Sequence, residues 1–334
     1  MSVSRREVQA QKGLRATNRE PNERGLYSRD FMVEPTSLCN LKCPLCPVPA
    51  HLHRPGTHMP MHTYREVVDD LAGYAERMDL WNFGEPFLNP EIFNMIKYAE
   101  DRGVKVRVST NSTYLGDDDV AKIFWSDLSA IIVCLDGASK ETHERYRIGS
   151  EYGKVVEGIS RLARRRRATG RSRPFMRLQF LVFSYNEHEI DAILDLAEDM
   201  GVDQLALKNV SLGTWVREHL RQKMARKLLP RNDKYRKYTL GEEALDLKLR
   251  DPVCSWAYEN GVVLANGDVT TCCYDSSGDH VFANVHRDGG LMQILTSARM
   301  KEIREQIVAR ELPVCRTCQY SDYGSTLVNF EARS

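Results

Sequence analysis

The run Leu38-Cys39-Asn40-Leu41-Lys42-Cys43-Pro44-Leu45-Cys46 decides how the rest of the chain is read, because its cysteines follow a C-x3-C-x2-C spacing. Three thiolates on one short loop can hold three corners of a cubane 4Fe–4S cluster and leave the fourth iron without a protein ligand. A metal with an open position is a place for chemistry, by the rule that separates catalytic from structural metal sites. The four residues before Pro35, Phe31–Glu34, read as a strand feeding this loop.

Outward from the loop, short apolar runs alternate with amphipathic stretches. Helices are predicted over Thr63–Arg77, Pro90–Arg102, Asp117–Trp125, Tyr152–Ala168 and Glu187–Met200. Strands are predicted over Asp79–Phe83, Val104–Ser109, Ala130–Leu135, Met176–Phe183 and Asp203–Lys208. The acidic start of Asp117–Trp125 suits the positive end of a helix dipole. Six strand–helix units in series predict an α/β fold with a parallel sheet and helical crossovers, too short for a closed eight-stranded barrel.

The chain has 334 residues, enough for more than one domain, and 42% of them are hydrophobic, as in an ordinary globular protein. Its formal net charge of +1 gives no bulk electrostatic case for nucleic acid or a membrane surface. No apolar run reaches transmembrane length, and the polar, Arg-rich stretch Met1–Arg24 lacks a signal-peptide core. The expected organisation is a loosely ordered tail over 1–28, a barrel domain over 29–210, a basic helical bridge without strands over 211–250, and a small domain over 251–334. In the last, Asn266-Gly267 between short apolar runs predicts a hairpin, and Ser297–Ala309 a helix.

Nine cysteines, an odd number clustered at short spacings in a long chain, favour reduced metal-binding thiols in a cytoplasmic protein over disulfides. Cys254, Cys272, Cys315 and Cys318 form a second set around the hairpin. Four thiolates complete either a tetrahedral zinc site or a fully ligated iron–sulfur cluster, and spacing alone leaves both open.

From the first cysteine run onward the chain resembles the radical S-adenosylmethionine (SAM) enzymes, and the second set resembles their SPASM/twitch extensions. No cysteine follows Cys318, as in the shorter twitch form with one auxiliary cluster, and the spacing is similar to that of aminocyclitol dehydrogenases. The resemblance implies a partial (β/α)6 barrel with a small twitch domain of hairpin plus helix. It implies SAM and two 4Fe–4S clusters, one at Cys39, Cys43 and Cys46 and an auxiliary one at Cys254, Cys272, Cys315 and Cys318. It further implies a 5′-deoxyadenosyl radical that removes hydrogen from the substrate, and a flavodoxin- or ferredoxin-type electron donor. Expected SAM contacts are Gly84-Glu85-Pro86, Thr110-Asn111 with Ser112 in place of a glycine, Asp136 in Cys134-Leu135-Asp136-Gly137, Arg147 and Asn186. Leu45 stands where the family usually has an aromatic. Cys134 and Cys273 belong to neither set and are candidate hydrogen donors. The leading expectation is oxidation of a secondary alcohol on a sugar or aminocyclitol. Alternatives are redox-neutral epimerisation or decarboxylation of a sugar or nucleoside, and peptide modification, for which the tail before Phe31 looks short and strand-poor. An iron–sulfur scaffold or zinc-binding interaction protein is the non-enzyme contrast.

No motif identifies the general base, so Glu34, Lys208 and Asn209 are geometric candidates only. His51, His53, His58 and His62 read as a solvated loop, and the arginines of 161–173 as the charged end of a helix.

Overall fold

The computed structural model of this chain describes residues 5–9, 20–51, 54–213, 216, 218–241, 245–248, 254–316, 318–320 and 325–330. Its strands are β1 (Arg5–Gln9), β2 (Asp30–Val33), β3 (Arg77–Asp79), β4 (Lys105–Thr110), β5 (Ala130–Cys134), β6 (Phe175–Val182), β7 (Gln204–Asn209), β8 (Tyr238–Leu240), β9 (Leu245–Leu247), β10 (Val262–Val263), β11 (Asp268–Thr270), β12 (Val281–Asn284) and β13 (Thr326–Phe330). Its helices are α1 (Pro47–His51), α2 (Met61–Asp70), α3 (Ile92–Glu100), α4 (Asp117–Trp125), α5 (Lys140–Tyr146), α6 (Tyr152–Ala168), α7 (Ile190–Met200), α8 (Glu218–Leu228), α9 (Gly290–Thr296), α10 (Ala298–Val308) and α11 (Pro313–Arg316).

Strands β2 to β7 lie side by side in chain order and pair in parallel, the parallel sheet that the βα alternation predicts and the open six-stranded barrel that the resemblance implies. Alternate residues separate its two faces. On β4, Val106, Val108 and Thr110 are buried on the face under the helices, whereas Lys105, Arg107 and Ser109 point the other way, into the barrel. The helices supply apolar stripes to match: α3 buries Ile92, Met95, Ile96 and Ala99, spaced for one face of a 3.6-residue repeat. Parallel sheets are usually apolar on both faces. Here the inner face carries Asp79, Arg107, Arg177 and Lys208, which is the pattern of a lined chamber.

The C-terminal third joins both edges of this sheet. β10 pairs in parallel with β2, and β11 and β12 follow antiparallel, while β13 pairs antiparallel with β7 and carries β1 outside it. Asn260 Nδ2 donates to the carbonyls of Ser28 and Asp30 at 3.0 Å, and Met292 N donates to Asp70 Oδ2 at 2.6 Å. The cysteine-bearing extension is therefore one continuous sheet with the barrel.

Several boundaries differ from the expectations. The helix expected to run to Arg77 ends at Asp70, because Gly73 turns left-handed and the chain re-enters the sheet as β3 two residues before Asp79. The bridge over 211–250 holds α8 but also the antiparallel pair β8–β9. Within the expected tail, residues 5–9 form β1, while 1–4 and 10–19 lie outside the described residues. The Asn266-Gly267 turn does join β10 to β11.

Candidate functional site

The first cysteine loop follows β2, at the C-terminal ends of the barrel strands. Leu41, Cys43 and Leu45 bury themselves against Tyr146 and Phe183, so the apolar residues between the cysteines anchor the loop from below. Lys42 N donates to Ile148 O at 2.9 Å, and Asn111 Nδ2 to Asn40 Oδ1 at 2.8 Å. Glu85 N donates to Leu38 O at 2.7 Å. Gly84 makes that approach possible: its φ is +88°, and a Cβ there would lie 2.4 Å from Thr36 O and 2.7 Å from Leu38 O. Burial pushes the Cys43 thiol up to about 12 and Cys46 up to about 11, with repulsion from neighbouring cysteines adding to both, and it raises Cys39, to which the Glu85 carboxylate adds. Three neighbouring thiols, Cys43 buried and Cys39 and Cys46 half-buried, with the Arg147 guanidinium opposing that rise, form an all-sulfur donor set that suits an iron–sulfur cluster.

Arg147 terminates α5, a helix absent from the sequence reading. Its Nε donates to Asp136 Oδ2 at 2.6 Å, and Asp136 Oδ1 accepts from Leu181 N at 2.7 Å. Asp136 is fully buried. It therefore aims Arg147, and leaves the two terminal guanidinium nitrogens for an anion. Three other predicted SAM contacts are placed differently from the expectation. The Glu85 carboxylate turns inward and accepts from Thr110 Oγ1 at 2.7 Å, Asn111 N at 2.7 Å and Phe87 N at 3.2 Å. Burial raises its pKa to about 7. Only the backbone of Gly84-Glu85-Pro86 is left to face a ligand, and Thr110 is spent on the same carboxylate. Asn186 is fully buried, accepts from Phe183 N at 2.6 Å and donates to Asp136 O and Leu181 O at 3.0 and 2.9 Å. It caps the turn after β6 instead of reaching the barrel mouth. Ser112 adopts φ 67°, the left-handed conformation for which a glycine is suited, and its hydroxyl accepts from Cys134 N at 3.2 Å.

Cys254, Cys272, Cys315 and Cys318 line one cavity, together with Trp256 and Tyr274. Asp275 shapes the loop after Cys272, accepting from Asp279 N and His280 N at 3.0 Å and from Thr270 Oγ1. Burial raises Cys272 strongly and Cys315 to about 11, with Cys318 adding repulsion to both. This is again an all-thiol set in an apolar wall. No disulfide joins any of the nine cysteines. His53 lies outside the described residues, and among those described no three His, Cys, Asp or Glu side chains surround a single-ion position.

Of the two spare cysteines, Cys134 lies on the inner face of the sheet, and Cys273 packs in the cluster that holds Met32, Trp81 and Cys272. Cys134 Sγ accepts from Gln179 Nε2 at 3.7 Å on the inner face, and both Cys134 and Cys273 act electrostatically on Lys208. Burial and the neighbouring Arg177 and Arg107 hold the Lys208 ammonium below its usual value. Glu34, a base candidate, is fully buried and committed: Arg54 donates to its two oxygens at 2.6 Å each and Asn82 Nδ2 at 2.9 Å. Arg54 also donates through Nε to Ser276 O at 3.0 Å, so one guanidinium ties β2, the segment after the cysteine loop and the auxiliary loop together. Sequence reasoning missed Arg54. The signal was Glu34 itself, an acid closing an apolar strand and so in need of a buried partner. It also missed Lys237, which donates to Gln319 O at 2.8 Å beside Cys318 and is lowered to about 7 by burial.

Comparison with known proteins follows the same division. A "Radical SAM superfamily" profile matches residues 33–197, and an "Iron-sulfur cluster-binding domain" (SPASM) profile matches residues 254–319. An AdoMet-dependent heme synthase of Methanosarcina barkeri is 28% identical over 169 residues, 50% of this chain and 46% of that one. The match thus spans about half the length of that relative. Mycofactocin maturase MftC of Mycobacterium ulcerans is 23% identical over 309 residues, 86% of this chain and 79% of that one. Among solved structures, BtrN in complex with AdoMet and 2-DOIA superposes with a TM-score of 0.57 at 15% identity, covering 89% of this chain and 98% of that chain. Streptococcus suis SuiB bound to precursor peptide SuiA gives 0.62 at 12% identity, covering 84% and 68%. At these identities the structural likeness is one of fold. No helix among the described residues is long and apolar enough to cross a membrane.

Proposed function

Since the chain belongs to the radical SAM superfamily and carries a SPASM iron–sulfur domain, we propose that it oxidises a secondary alcohol of a sugar or aminocyclitol to the ketone inside the barrel. When bound, SAM at the first cluster supplies hydrogen-atom removal by a 5′-deoxyadenosyl radical, and the second cluster supplies an acceptor for the electron left on the substrate. The substrate thus loses a hydrogen atom from carbon, a proton from its hydroxyl and one electron. Cys39, Cys43 and Cys46 hold the first cluster in this reading, Cys254, Cys272, Cys315 and Cys318 the second. Arg147, aimed by Asp136, receives the SAM carboxylate, and Asn111 steadies the cysteine loop through Asn40.

One observation carries the reading. Met32 and Trp81, at the barrel ends of β2 and β3, pack in one apolar cluster with Cys254, Cys272, Cys273 and Tyr274. Only side chains, with no intervening domain boundary, separate the chamber from the second cysteine set. A fully ligated cluster so close to the chamber suits outer-sphere transfer of one electron.

Anaerobic turnover tests this. One SAM should be consumed per ketone, with the product lighter than the substrate by two hydrogens. Cys315→Ala should abolish the ketone, whereas undiminished ketone formation in a variant shown by iron analysis to lack the second cluster overturns the mechanism. The arrangement also supports a second reading, because Cys134 and Cys273 both act on Lys208 inside the chamber. In this reading either thiol returns a hydrogen atom in a redox-neutral epimerisation. Solvent deuterium at the product carbon, lost in Cys134→Ala or Cys273→Ala, is its mark. Peptide modification, to which the precursor peptide bound by SuiB points, is read by the same mass analysis on a peptide substrate.

A further inference from the structure

The inner face of the barrel holds more positive charge than its own carboxylates match. Arg107 is matched: its Nε and Nη2 lie 2.8 Å from the two oxygens of Asp79. Asp30 pairs with Arg77, Glu34 with Arg54, and Asp136 with Arg147. Glu85 is closed within its hydrogen bonds to Thr110 and two backbone amides. Lys105 is exposed at the N-terminal end of its strand, and two further inward cations are left over above it. Arg177 donates from Nε to the neutral side-chain oxygen of Gln204 and reaches no carboxylate among the described residues. The Lys208 ammonium makes no hydrogen bond or ion pair with any described residue.

The register locates the two. Cys134 lies opposite Gln179, and Gln179 opposite Ala206. Lys208 stands one inward step beyond that row, toward the strand ends that carry the first cysteine loop, and Arg177 stands one inward step below it. Their Cα atoms are thus separated by about 13 Å along the strands, a gap that two long side chains can close around one small group. Arg177 bears on Lys208. Burial first, then repulsion from nearby arginines, lowers both Lys208 and Arg177, with Asp79 offsetting part of this at Arg177 and the Cys134 and Cys273 sulfurs part at Lys208. Both side chains are half-buried and open to the chamber without a carboxylate partner, so an anion bound between them gains charge-assisted hydrogen bonds from each.

We propose that the substrate carries an oxyanion, a carboxylate or a phosphate, which Lys208 and Arg177 hold across the Cys134–Gln179–Ala206 row. The oxyanion then fixes the depth of the substrate in the barrel, and its opposite end lies toward the first cysteine loop. This rests on the barrel interior being the substrate chamber of the reaction proposed above, and it names the class of molecule that enters.

The test is calorimetric titration of inorganic phosphate and, separately, succinate into the anaerobically reconstituted full chain with SAM present. Saturable binding of at least one is expected, weakened about tenfold or more in Lys208→Met and in Arg177→Met, since each removes a charged hydrogen bond to the anion. Lys208→Arg should keep the binding. A preference for phosphate assigns a phosphorylated substrate, and one for succinate a carboxylate. If Lys208→Met fails to fold, Lys208→Gln against Lys208→Arg decides, the first losing and the second keeping the affinity. No binding of either anion to the unaltered chain, or equal binding by unaltered chain and folded variants, overturns the proposal. SAM cleavage by the unaltered chain is measured in parallel. Its absence contradicts the radical reading and leaves the anion result standing on its own.

Discussion

Replacing Gly84 by alanine should dislodge the first cysteine loop without touching a cysteine. Two costs add at this position. A side chain at φ +88° is strained, by about 1–2 kcal/mol for an L-residue in left-handed space. The new Cβ also lies 2.4 Å from Thr36 O and 2.7 Å from Leu38 O, roughly 1 Å inside ordinary carbon–oxygen contact. Both neighbours are backbone, so neither can rotate away, and overpacking of this kind costs a further 1–3 kcal/mol or so. The total is about 2–5 kcal/mol, and the relief available is displacement of 36–38, the residues that lead directly into Cys39. Gly73→Ala is the internal control: its φ is +73° but nothing lies within 4 Å of its Cβ, so it bears the conformational cost alone. Anaerobic thermal unfolding and iron content after reconstitution read both. Gly73→Ala should melt slightly lower and load both clusters. Gly84→Ala should melt lower still and lose the iron of the first cluster while keeping that of the second. If Gly84→Ala matches Gly73→Ala in stability and iron, the Gly84 contact does not hold the loop.

Arg54→Met leaves Glu34 buried without its cation. Loss of about 3 kcal/mol of stability is expected, the low end for a broken buried pair because Asn82 still donates to the carboxylate. Glu34→Gln combined with Arg54→Met should cost less than the two singles summed, and strict additivity in urea unfolding refutes the pairing. Arg147→Lys should weaken SAM binding about tenfold, since lysine cannot hold both Asp136 and a carboxylate through separate nitrogens. His143 is buried with Nδ1 accepting from Asp136 N at 3.2 Å, and burial lowers its pKa from 6.5 to about 4. The unfolded chain therefore takes up a proton that the folded imidazole refuses, so stability present above pH 6.5 is lost on acidification toward about 4. That loss amounts to at most about 3 kcal/mol, and a His143→Gln chain should show a flatter pH profile over that window; parallel profiles contradict it.

What was legible in the sequence was local. The cysteine spacings and the alternation of strands and helices each show within a short window, and they give the barrel order β2 to β7 and both thiol sets. What was hidden depends on pairing across the chain. The join of β10 to β2 links segments that lie far apart in sequence, and no window contains both. β3 was placed two residues late because Arg77 and Asp79 point into the chamber, where they are paired, and so break the apolar run expected of a buried strand. α5 is short and polar, so its periodicity is faint, although Ser139 caps its start and accepts from Thr142 N. Glu85 and Asn186 stand at strand ends as SAM contacts do, but the backbone amides beside them claim their side chains first. Position at a strand end is visible in a sequence, and the direction of a side chain there is not.

Mössbauer spectroscopy of iron-57-reconstituted protein, recorded with and without SAM, tests the central claim most directly. The account predicts two cubane clusters, of which SAM perturbs one. Cys43→Ala should remove the SAM-responsive signal and Cys272→Ala the other. A single cluster with zinc bound at the second cysteine set, or two clusters that both ignore SAM, would contradict it.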